Sequence, residues 1–338
     1  MQLSPSRPHL IRLRDLADQD LTDIVDLSQR LKRGAPRNEL AGKAVGMLFF
    51  RGSLRTRTSL EIAMHQLGGY TVNLSAASDF WELESRTGTV MDGAAPEHIK
   101  DAAASLSRYV DALAVRPSPG GRSWEIDRAD EGIRAWAEHA SVPVINMESV
   151  LWHPLQGLAD LLTMRESLGE LKGKRLAITW TSTPSPKSPT AVHTVIHAAL
   201  RSGMDVRIAH PEGYELDDAV VEEAKMQASE RGRSLEIGND IRATVEGTHM
   251  VYAGSWPSLE VYGNATLAAS RGARVRDWCV DEELMSLGDN AKLMHPMPVR
   301  RNLEVTDEVL DGPRSLIYNQ AENRLHTQKG LLTHMLRS

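Results

Sequence analysis

The sequence predicts an α/β fold of two domains, each a mostly parallel sheet flanked by helices. Short apolar runs alternate with helix-like segments through most of the chain, an arrangement typical of parallel βαβ units. Several runs are apolar at consecutive positions, as expected of strands that are covered on both faces. At 338 residues the chain exceeds the usual size of a single core. Two sheets are therefore expected rather than one.

The predicted strands are apolar runs bounded by polar or turn-forming residues. They are AVGMLFF (44–50), YTVNL (70–74), ALAVR (112–116), VPVINM (142–147), RLAITW (175–180), DVRIAH (205–210), HMVYA (249–253), KLMH (292–295) and SLIYN (315–319). The segments between them carry apolar residues at helical spacing, as at Leu155, Leu158 and Leu162. The proline-rich stretches PSPGG (117–121) and STPSPKSP (182–189) predict loops.

The natural domain break lies near residue 150. A helix beginning at Pro154 would carry the chain from one half to the other, because proline is favoured at the first helical position. We therefore expect a first domain over residues 1–150 and a second over 151–319. A final helix over 320–337 is expected to pack back on the first domain.

Composition and charge argue against several classes of function. Apolar residues make up 41% of the chain and charged residues 25%, which is the composition of a soluble globular protein. The net charge of −6 and the lack of a long basic run argue against nucleic-acid and membrane partners. The sequence has neither a signal-peptide core nor an apolar window long enough for a membrane span, so we expect a cytoplasmic protein.

Neither a cofactor nor a metal is expected. The chain lacks the G-x-G-x-x-G pattern after a strand and the G-x-x-x-x-G-K-[ST] pattern, which removes the main support for a nucleotide site. His193 and His197 have the spacing of metal ligands on a helix. They lack a third ligand and the glutamate of an HExxH motif, so a zinc site is not favoured.

The stretch FFRGSLRTRTSLE (49–61) is the first candidate site. It follows the first predicted strand, and ligands bind at the carboxyl ends of strands in open α/β sheets. Helix-start N–H groups, the hydroxyls of Ser53 and Thr56 and the guanidinium of Arg55 match a tetrahedral dianion such as phosphate. The alternative is a hydrophilic strand-to-helix turn without a ligand.

Further polar residues follow later strands. Arg116 ends the strand ALAVR, where a charge suits the rim of a sheet better than its interior. His153 and Gln156 lie three residues apart at a helix start, so they share one face and could bind the carbonyl and amide-like groups of a small ligand.

The last candidates lie in the second half of the chain and in one polar loop. In HPMPVRRN (295–302), the prolines fix an irregular backbone whose carbonyls can accept hydrogen bonds from an amino group. Arg324 is expected near the start of the last helix, after the strand SLIYN. Trp81 lies in the polar loop ASDFWELES, where a rim contact or subunit interface is as plausible as packing within the loop.

Together, these motifs resemble the aspartate/ornithine carbamoyltransferase family. The resemblance rests on SLRTR (53–57), the arginine at the third strand end, HPLQ (153–156), HPMP (295–298) and ENRLHTQ (322–328), and it covers about residues 8–335. FWELESRTGTVMDGAAPEHI (80–99), VPVINMES (142–149), RRNLEVTDEV (300–309) and AENRLHTQK (321–329) are most similar to the branch that acts on N-acetylornithine or N-succinylornithine.

The resemblance implies transfer of the carbamoyl group of carbamoyl phosphate to the side-chain amine of an amino acid. The acceptor that it favours is an N-acylated ornithine, which would place the reaction in arginine biosynthesis. It also implies a homotrimer with shared active sites and a knotted crossing near STPSPKSP in the second domain. Ser53, the Leu54 main chain, Arg55 and Thr56 would bind phosphate. The carbamoyl group would lie among Arg116, His153, Gln156, Arg324, Pro296 and Met297, with Trp81 reaching a neighbouring subunit's site. Arg116, His153 and Thr56 would stabilise the developing oxyanion.

The same resemblance assigns the amine substrate to Glu148, Pro96, Gly254, Pro298, Arg300 and Glu304. The sequence departs from the branch at Gly254, where a lysine is usual, and in STPSPKSP, where a usual histidine is replaced. Pro96 matches the succinylornithine enzymes, so better use of N-succinylornithine than of N-acetylornithine is expected. The alternatives are another amine, such as ornithine or a specialised-metabolism diamino acid, and a non-catalytic regulatory protein that binds carbamoyl phosphate or another anion.

Overall fold

The computed structural model describes residues 8–34 and 38–337, which form two compact units. The first unit contains the described residues up to Gly120, together with Ile126–Leu158 and the residues from Arg324 onward. The second unit contains Gly121–Glu125 and Ala159–Asn323. Each unit has its own parallel sheet, so the predicted fold class is confirmed.

The strands and helices alternate along most of the chain. The strands are β1 Ala44–Phe49, β2 Tyr70–Ser75, β3 Leu83–Glu84, β4 Glu97–His98, β5 Ala112–Arg116, β6 Val144–Asn146, β7 Arg175–Trp180, β8 Asp205–Ala209, β9 Leu235–Gly238, β10 Met250–Gly254 and β11 Lys292–Met294. The helices are α1 Asp18–Arg33, α2 Arg55–Gln66, α3 Ile99–Leu106, α4 Trp124–Asp127, α5 Glu131–His139, α6 Pro154–Leu168, α7 Thr190–Arg201, α8 Asp218–Glu230, α9 Ile241–Val245, α10 Ala265–Gly272, α11 Glu282–Ser286, α12 Asp307–Leu310 and α13 Ile317–Leu336.

The first unit is built on a four-stranded parallel sheet in the order β2-β1-β5-β6. Its central strands are apolar and buried almost throughout, because central strands of a parallel sheet are covered on both faces. Leu48, Val115 and Trp136 belong to the apolar core of this unit. Phe49 pairs with Arg116 in the register of β1 and β5, so the segments that follow these two strands begin side by side.

The second unit is built on a five-stranded parallel sheet in the order β11-β10-β7-β8-β9. β7 and β10 occupy its centre and are buried. Gly254 ends β10 and pairs with Trp180, which ends β7. The loops that follow β7, β10 and β11 therefore leave the same edge of the sheet.

The structure differs from the predicted strands at SLIYN (315–319) and at three short strands that the sequence does not predict, β3, β4 and β9. The prediction of a strand at SLIYN (315–319) is wrong. Ser315 forms one bridge with Leu293, and Ile317 begins α13 and packs in the apolar core of the second unit. Arg324 consequently lies inside α13 and not near its start after a strand. The sequence does not predict β9, because this short edge strand is only partly buried and lacks a clear apolar run.

Within residues 8–34 and 38–337, no helix combines the length and apolar character needed to cross a membrane. Among those same residues, no group of three or more His, Cys, Asp or Glu side chains is arranged to hold a metal ion. His193 and His197 both lie in α7 and are buried.

Candidate active site

The turn between β1 and α2 prepares a site for an anion. The N–H groups of the first helical turn have no acceptor within the helix, and they carry the positive end of its dipole. Ser53 Oγ accepts a hydrogen bond from Arg57 N (3.3 Å), and Thr58 Oγ1 donates to the carbonyl of Leu54 (2.9 Å). These bonds hold the polypeptide in the conformation that directs the start of α2, at Arg55, toward the edge of the sheet.

Arg57 belongs to the same turn but has a different contact. Its guanidinium carbon lies 4.0 Å from the ring centre of Phe49, the last residue of β1. A cation over an aromatic face is a stabilising contact within the fold. Arg57 therefore packs within the turn, against the end of β1.

Arg116 joins the end of β5 to the start of α2. Its Nη1 donates to Ser53 Oγ at 2.9 Å and lies 3.3 Å from Thr56 Oγ1, while its Nη2 donates to the Glu148 carboxylate. Its side chain is largely buried, and its Nε has no hydrogen-bond acceptor among the described residues. Arg116 therefore reaches both hydroxyls of the predicted phosphate site.

Arg324 reaches the same hydroxyl from α13. Its Nη2 donates to Thr56 Oγ1 at 2.5 Å, and its Nη1 donates to Gln156 Oε1 at 2.8 Å and lies 3.4 Å from His153 Nε2. His153 and Gln156 therefore share one face, as their spacing predicts. The structure brings together in the first unit four elements that are far apart in the sequence.

The segment after β6 is held rigidly and carries Glu148 and His153 to this place. Asn146 Oδ1 accepts from Glu148 N at 3.0 Å, and its Nδ2 donates to Ser149 Oγ at 2.9 Å. Asp130 accepts from Ser149 Oγ at 2.6 Å and from Val150 N at 3.0 Å. Because Asn146, Ser149 and Asp130 are all buried, the backbone around Glu148 has little freedom.

The electrostatics of the site favour an incoming anion. Burial lowers the pKa of Arg116 and of Arg55, although nearby Glu148 partly offsets this effect. Burial, followed by the charges of Arg324 and Arg116, lowers the pKa of His153 well below its ordinary value, so this imidazole is neutral at neutral pH. Among the side chains described for this cluster, arginines thus outnumber carboxylates.

The second unit contains a buried pair of polar side chains, His295 and Glu304, at the edge of its sheet. His295 Nε2 lies 3.2 Å from Glu304 Oε2, and Glu304 is only 1% exposed. Ser255 Oγ donates to Glu304 Oε1 (3.1 Å), and Arg300 N donates to Oε2 (2.8 Å). Burial raises the pKa of Glu304, but the hydrogen bond and charge of His295 and the charge of Lys187 lower it to about 2. The carboxylate that sequence reasoning assigns to the substrate is thus engaged by its own unit.

The other predicted amine-site residues of the second unit lie on the loops at this edge. Gly254 is buried, and a β-carbon placed there would lie 3.3 Å from Val192 Cγ2. Lys187, in the proline-rich loop, donates to the carbonyl of Pro298, and the Arg300 side chain is exposed. Pro296 and Met297, which precede Pro298, are half-buried.

The predicted residues outside these clusters lie on the surface of the first unit. Trp81 is 70% exposed and Leu54 is 75% exposed. Pro96, immediately before β4, is also exposed. An exposed indole beside polar residues is consistent with a contact made outside this unit.

Comparisons with known proteins identify the family. A model of the "Aspartate/ornithine carbamoyltransferase, carbamoyl-P binding domain" matches residues 8–166, and one of the "Asp/Orn binding domain" matches residues 187–335. The chain belongs to the aspartate/ornithine carbamoyltransferase family. It is 37% identical over 334 residues to an N-acetylornithine carbamoyltransferase of Xanthomonas campestris pv. campestris, covering 98% of each chain. It is 35% identical to an ornithine carbamoyltransferase of Methanobrevibacter smithii, covering 97% of this chain and 99% of the other.

Solved structures of the family agree with the fold. Acetylornithine transcarbamylase complexed with acetylcitrulline matches with a TM-score of 0.95 and 37% identity, covering 98% of this chain and 100% of the other. A variant of N-acetyl-L-ornithine transcarbamylase complexed with carbamyl phosphate and N-succinyl-L-norvaline matches with a TM-score of 0.94 and 37% identity, covering 97% and 100%. The resemblance inferred from the motifs is confirmed at the level of the family.

Sequence reasoning did not single out Arg51, which lies beside this cluster. Arg51 lies within the quoted stretch FFRGSLRTRTSLE, yet the pattern draws attention to SLRTR. Its Nη2 lies 3.3 Å from Glu148 Oε1 and donates to the Glu148 carbonyl at 3.2 Å. Its position just after β1 could have drawn attention to it, because ligands bind at this end of the strands in open α/β sheets.

Proposed function

We propose that this carbamoyltransferase moves the carbamoyl group of carbamoyl phosphate to the side-chain amine of an N-acylated ornithine, giving an N-acylcitrulline and phosphate in arginine biosynthesis. The observation that carries the proposal is the convergence of Arg116, Arg324 and Thr56 beside the start of α2. Two guanidiniums, a hydroxyl and helix N–H groups form a compact receptor for a dianion.

In this proposal, phosphate binds to Ser53, the Leu54 main chain, Arg55 and Thr56. The carbamoyl group is bound by Arg116, His153, Gln156 and Arg324, and the backbone of Pro296 and Met297 also contributes. Neutral His153 can donate a hydrogen bond to the ligand from the ring nitrogen that carries its proton. Apart from Arg55, the side chains named from the first unit are joined by close polar contacts, which supports their assignment to a single ligand.

The chemistry then follows from charge. The unprotonated amine attacks the carbamoyl carbon and forms a C–N bond, and negative charge grows on the carbonyl oxygen. Arg116, His153 and Thr56 stabilise that oxygen. The C–O bond to phosphate breaks, phosphate leaves with both electrons, and the nitrogen releases a proton. The protein contributes positioning and electrostatic stabilisation throughout.

The acceptor is proposed to contact Glu148, Pro96, Gly254, Pro298, Arg300 and Glu304. Exposed Pro96 offers no charge that would repel an acyl carboxylate, which favours a succinyl over an acetyl group. The match to a family member complexed with N-succinyl-L-norvaline supports an acceptor of this class.

We also propose a homotrimer in which Trp81 reaches the active site of a neighbouring subunit, and a knotted chain crossing near residues 182–189. The exposure of Trp81 and of Leu54 supports the shared site. Light scattering on purified protein tests the trimer: a mass equal to that of a monomer at micromolar concentration would contradict it.

Incubation with carbamoyl phosphate and separate amines tests the function. The amines are N-succinylornithine, N-acetylornithine and ornithine, and the readouts are the ureido product and released phosphate. We expect turnover of both acylated substrates, with the succinyl compound faster. Identically purified Arg116→Met protein controls for contaminating enzymes.

Two outcomes would contradict parts of the proposal. Ornithine turned over at least tenfold faster than both acylated substrates would refute the N-acylornithine assignment and retain carbamoyl transfer. Binding of carbamoyl phosphate without product from any amine would instead support the non-catalytic alternative.

A further inference from the structure

The Glu148 carboxylate bridges two arginines that follow neighbouring strands. Oε2 accepts from Arg116 Nη2, and Oε1 lies 3.3 Å from Arg51 Nη2. Arg51 also donates to the Glu148 carbonyl at 3.2 Å, so it holds both the main chain and the side chain of the same residue. Glu148 lies within 4.0 Å of His153 Nε2 as well, which places its charge at the centre of the cluster.

This arrangement creates a conflict for a bound anion. Arg116 contacts Ser53 and Thr56, and it is one of the groups that the proposed function assigns to carbamoyl phosphate. Its Nη2 donates to the Glu148 carboxylate. The negative charge of that carboxylate would repel the phosphate group of the ligand at such distances in a partly buried site. Either Arg116 donates fewer hydrogen bonds to the ligand, or the hydrogen bond between Arg116 and Glu148 breaks when the ligand binds.

Arg51 provides the alternative partner for Glu148. Its Nε is buried and has no hydrogen-bond acceptor among the described residues, so the guanidinium can donate to a second carboxylate oxygen. The backbone of Glu148 is held by Asn146 and by Arg51 itself, so a side-chain rotation is sufficient for the exchange. A carboxylate with both oxygens on one guanidinium is the strongest geometry for this ion pair.

We propose that Arg51 is a positioning residue that receives the Glu148 carboxylate when carbamoyl phosphate takes Arg116. This inference rests on the proposed function of the site. The exchange releases Arg116 for the ligand and keeps the partly buried Glu148 carboxylate paired with a guanidinium, so its negative charge opposes binding less. It also fixes the direction of the Glu148 carboxylate for the second substrate.

A double-mutant cycle measured with carbamoyl phosphate by calorimetry tests the exchange. Arg51→Gln should weaken binding at least tenfold, because the displaced Glu148 carboxylate no longer meets the guanidinium of Arg51. Glu148→Gln should tighten binding, because the competing charge is gone. In the Glu148→Gln protein, the further change Arg51→Gln should weaken binding by threefold or less. The expected result is therefore strong coupling between the two positions.

Matched controls separate exchange from simple loss of charge. Arg57→Gln removes an equal charge from the same turn but contacts Phe49, so its effect should be the same in the wild-type protein and in the Glu148→Gln protein. Arg51→Lys should recover part of the affinity, because it keeps a charge near Glu148. If Arg51→Gln fails to fold, the cycle is run with Arg51→Lys, which should couple to Glu148→Gln in the same direction.

The outcomes are distinguishable. Additive effects of Arg51→Gln and Glu148→Gln, within twofold, would overturn the exchange. Weaker binding by Glu148→Gln would overturn it as well, because Glu148 would then support Arg116 and not compete with the ligand. Wild-type protein that does not bind carbamoyl phosphate at all would refute the proposed function itself.

Discussion

Replacing Glu304 by glutamine tests how much the buried Glu304 carboxylate stabilises the protein. Glu304 is 1% exposed and accepts from Ser255 Oγ and from Arg300 N, in addition to its contact with His295. Glutamine has nearly the same shape, so the change removes the charge and leaves the packing almost intact. His295 then loses the carboxylate that accompanies it in the interior.

The magnitude follows from the lowered pKa of Glu304. Burial raises this pKa, but the contacts with His295 outweigh burial and bring it from an ordinary value of 4.5 to about 2. A depressed carboxyl pKa stabilises the folded state fully above 4.5, and this contribution is lost as the pH falls through the window from 4.5 to 2. A shift of this size corresponds to about 3 kcal/mol at neutral pH.

Urea denaturation at a series of pH values measures the effect. At pH 7 we expect Glu304→Gln to lower the unfolding free energy of the second unit by about 3 kcal/mol. Between pH 5 and pH 2, wild-type protein should lose stability more steeply than the variant. Glu222→Gln is the control, because Glu222 pairs with Lys225 on the surface, where such pairs contribute less than about 1 kcal/mol.

Two results would refute this reasoning. One is a loss below about 1 kcal/mol at pH 7, which is the size expected of a surface pair. The other is parallel pH profiles of wild type and Glu304→Gln, since the difference in proton binding would then come from other carboxyls.

Three further predictions concern the active site. Arg55→Ala should weaken carbamoyl phosphate binding by about 2 to 5 kcal/mol because a charge facing the dianion is lost; unchanged affinity by calorimetry would exclude Arg55 from the phosphate site. The rate at subsaturating acceptor should rise from pH 7 to 9 with the unprotonated amine, whose free pKa is about 10.4, without an inflection near 6.5, because the His153 pKa lies well below that value. A flat profile with rate-limiting chemistry would argue for another nucleophile. Gly254→Lys should lower KM for N-acylornithines several-fold by offering a cation to the carboxylate, after Val192 adjusts slightly; an unchanged KM would contradict that role.

Local sequence patterns determined most of the secondary structure and the family of this protein. Consecutive apolar residues predict β1, β5, β7 and β10, because strands covered on both faces need no polar side. Pro154 marks the start of α6, since proline suits the first helical turn. The motif SLRTR indicates an anion site because its residue types match the ligand regardless of the rest of the fold. Short apolar runs such as SLIYN are ambiguous between strand and helix, and in that case only the helical packing of Ile317 decides.

The tertiary structure decided which of these residues meet. Arg324 and Thr56 are 268 residues apart, and Arg51 and Glu148 are 97 residues apart, yet both pairs are in contact within the first unit. Their contacts depend on strand order, on register and on the docking of α13, and no local pattern encodes these long-range pairings. The partner of Glu304 was likewise decided by the tertiary structure. Its residue type suggests a contact with a ligand, but its carboxylate is buried beside His295. A sequence pattern identifies the chemistry that a side chain offers, and the free energy of packing the whole chain selects the partner that receives it.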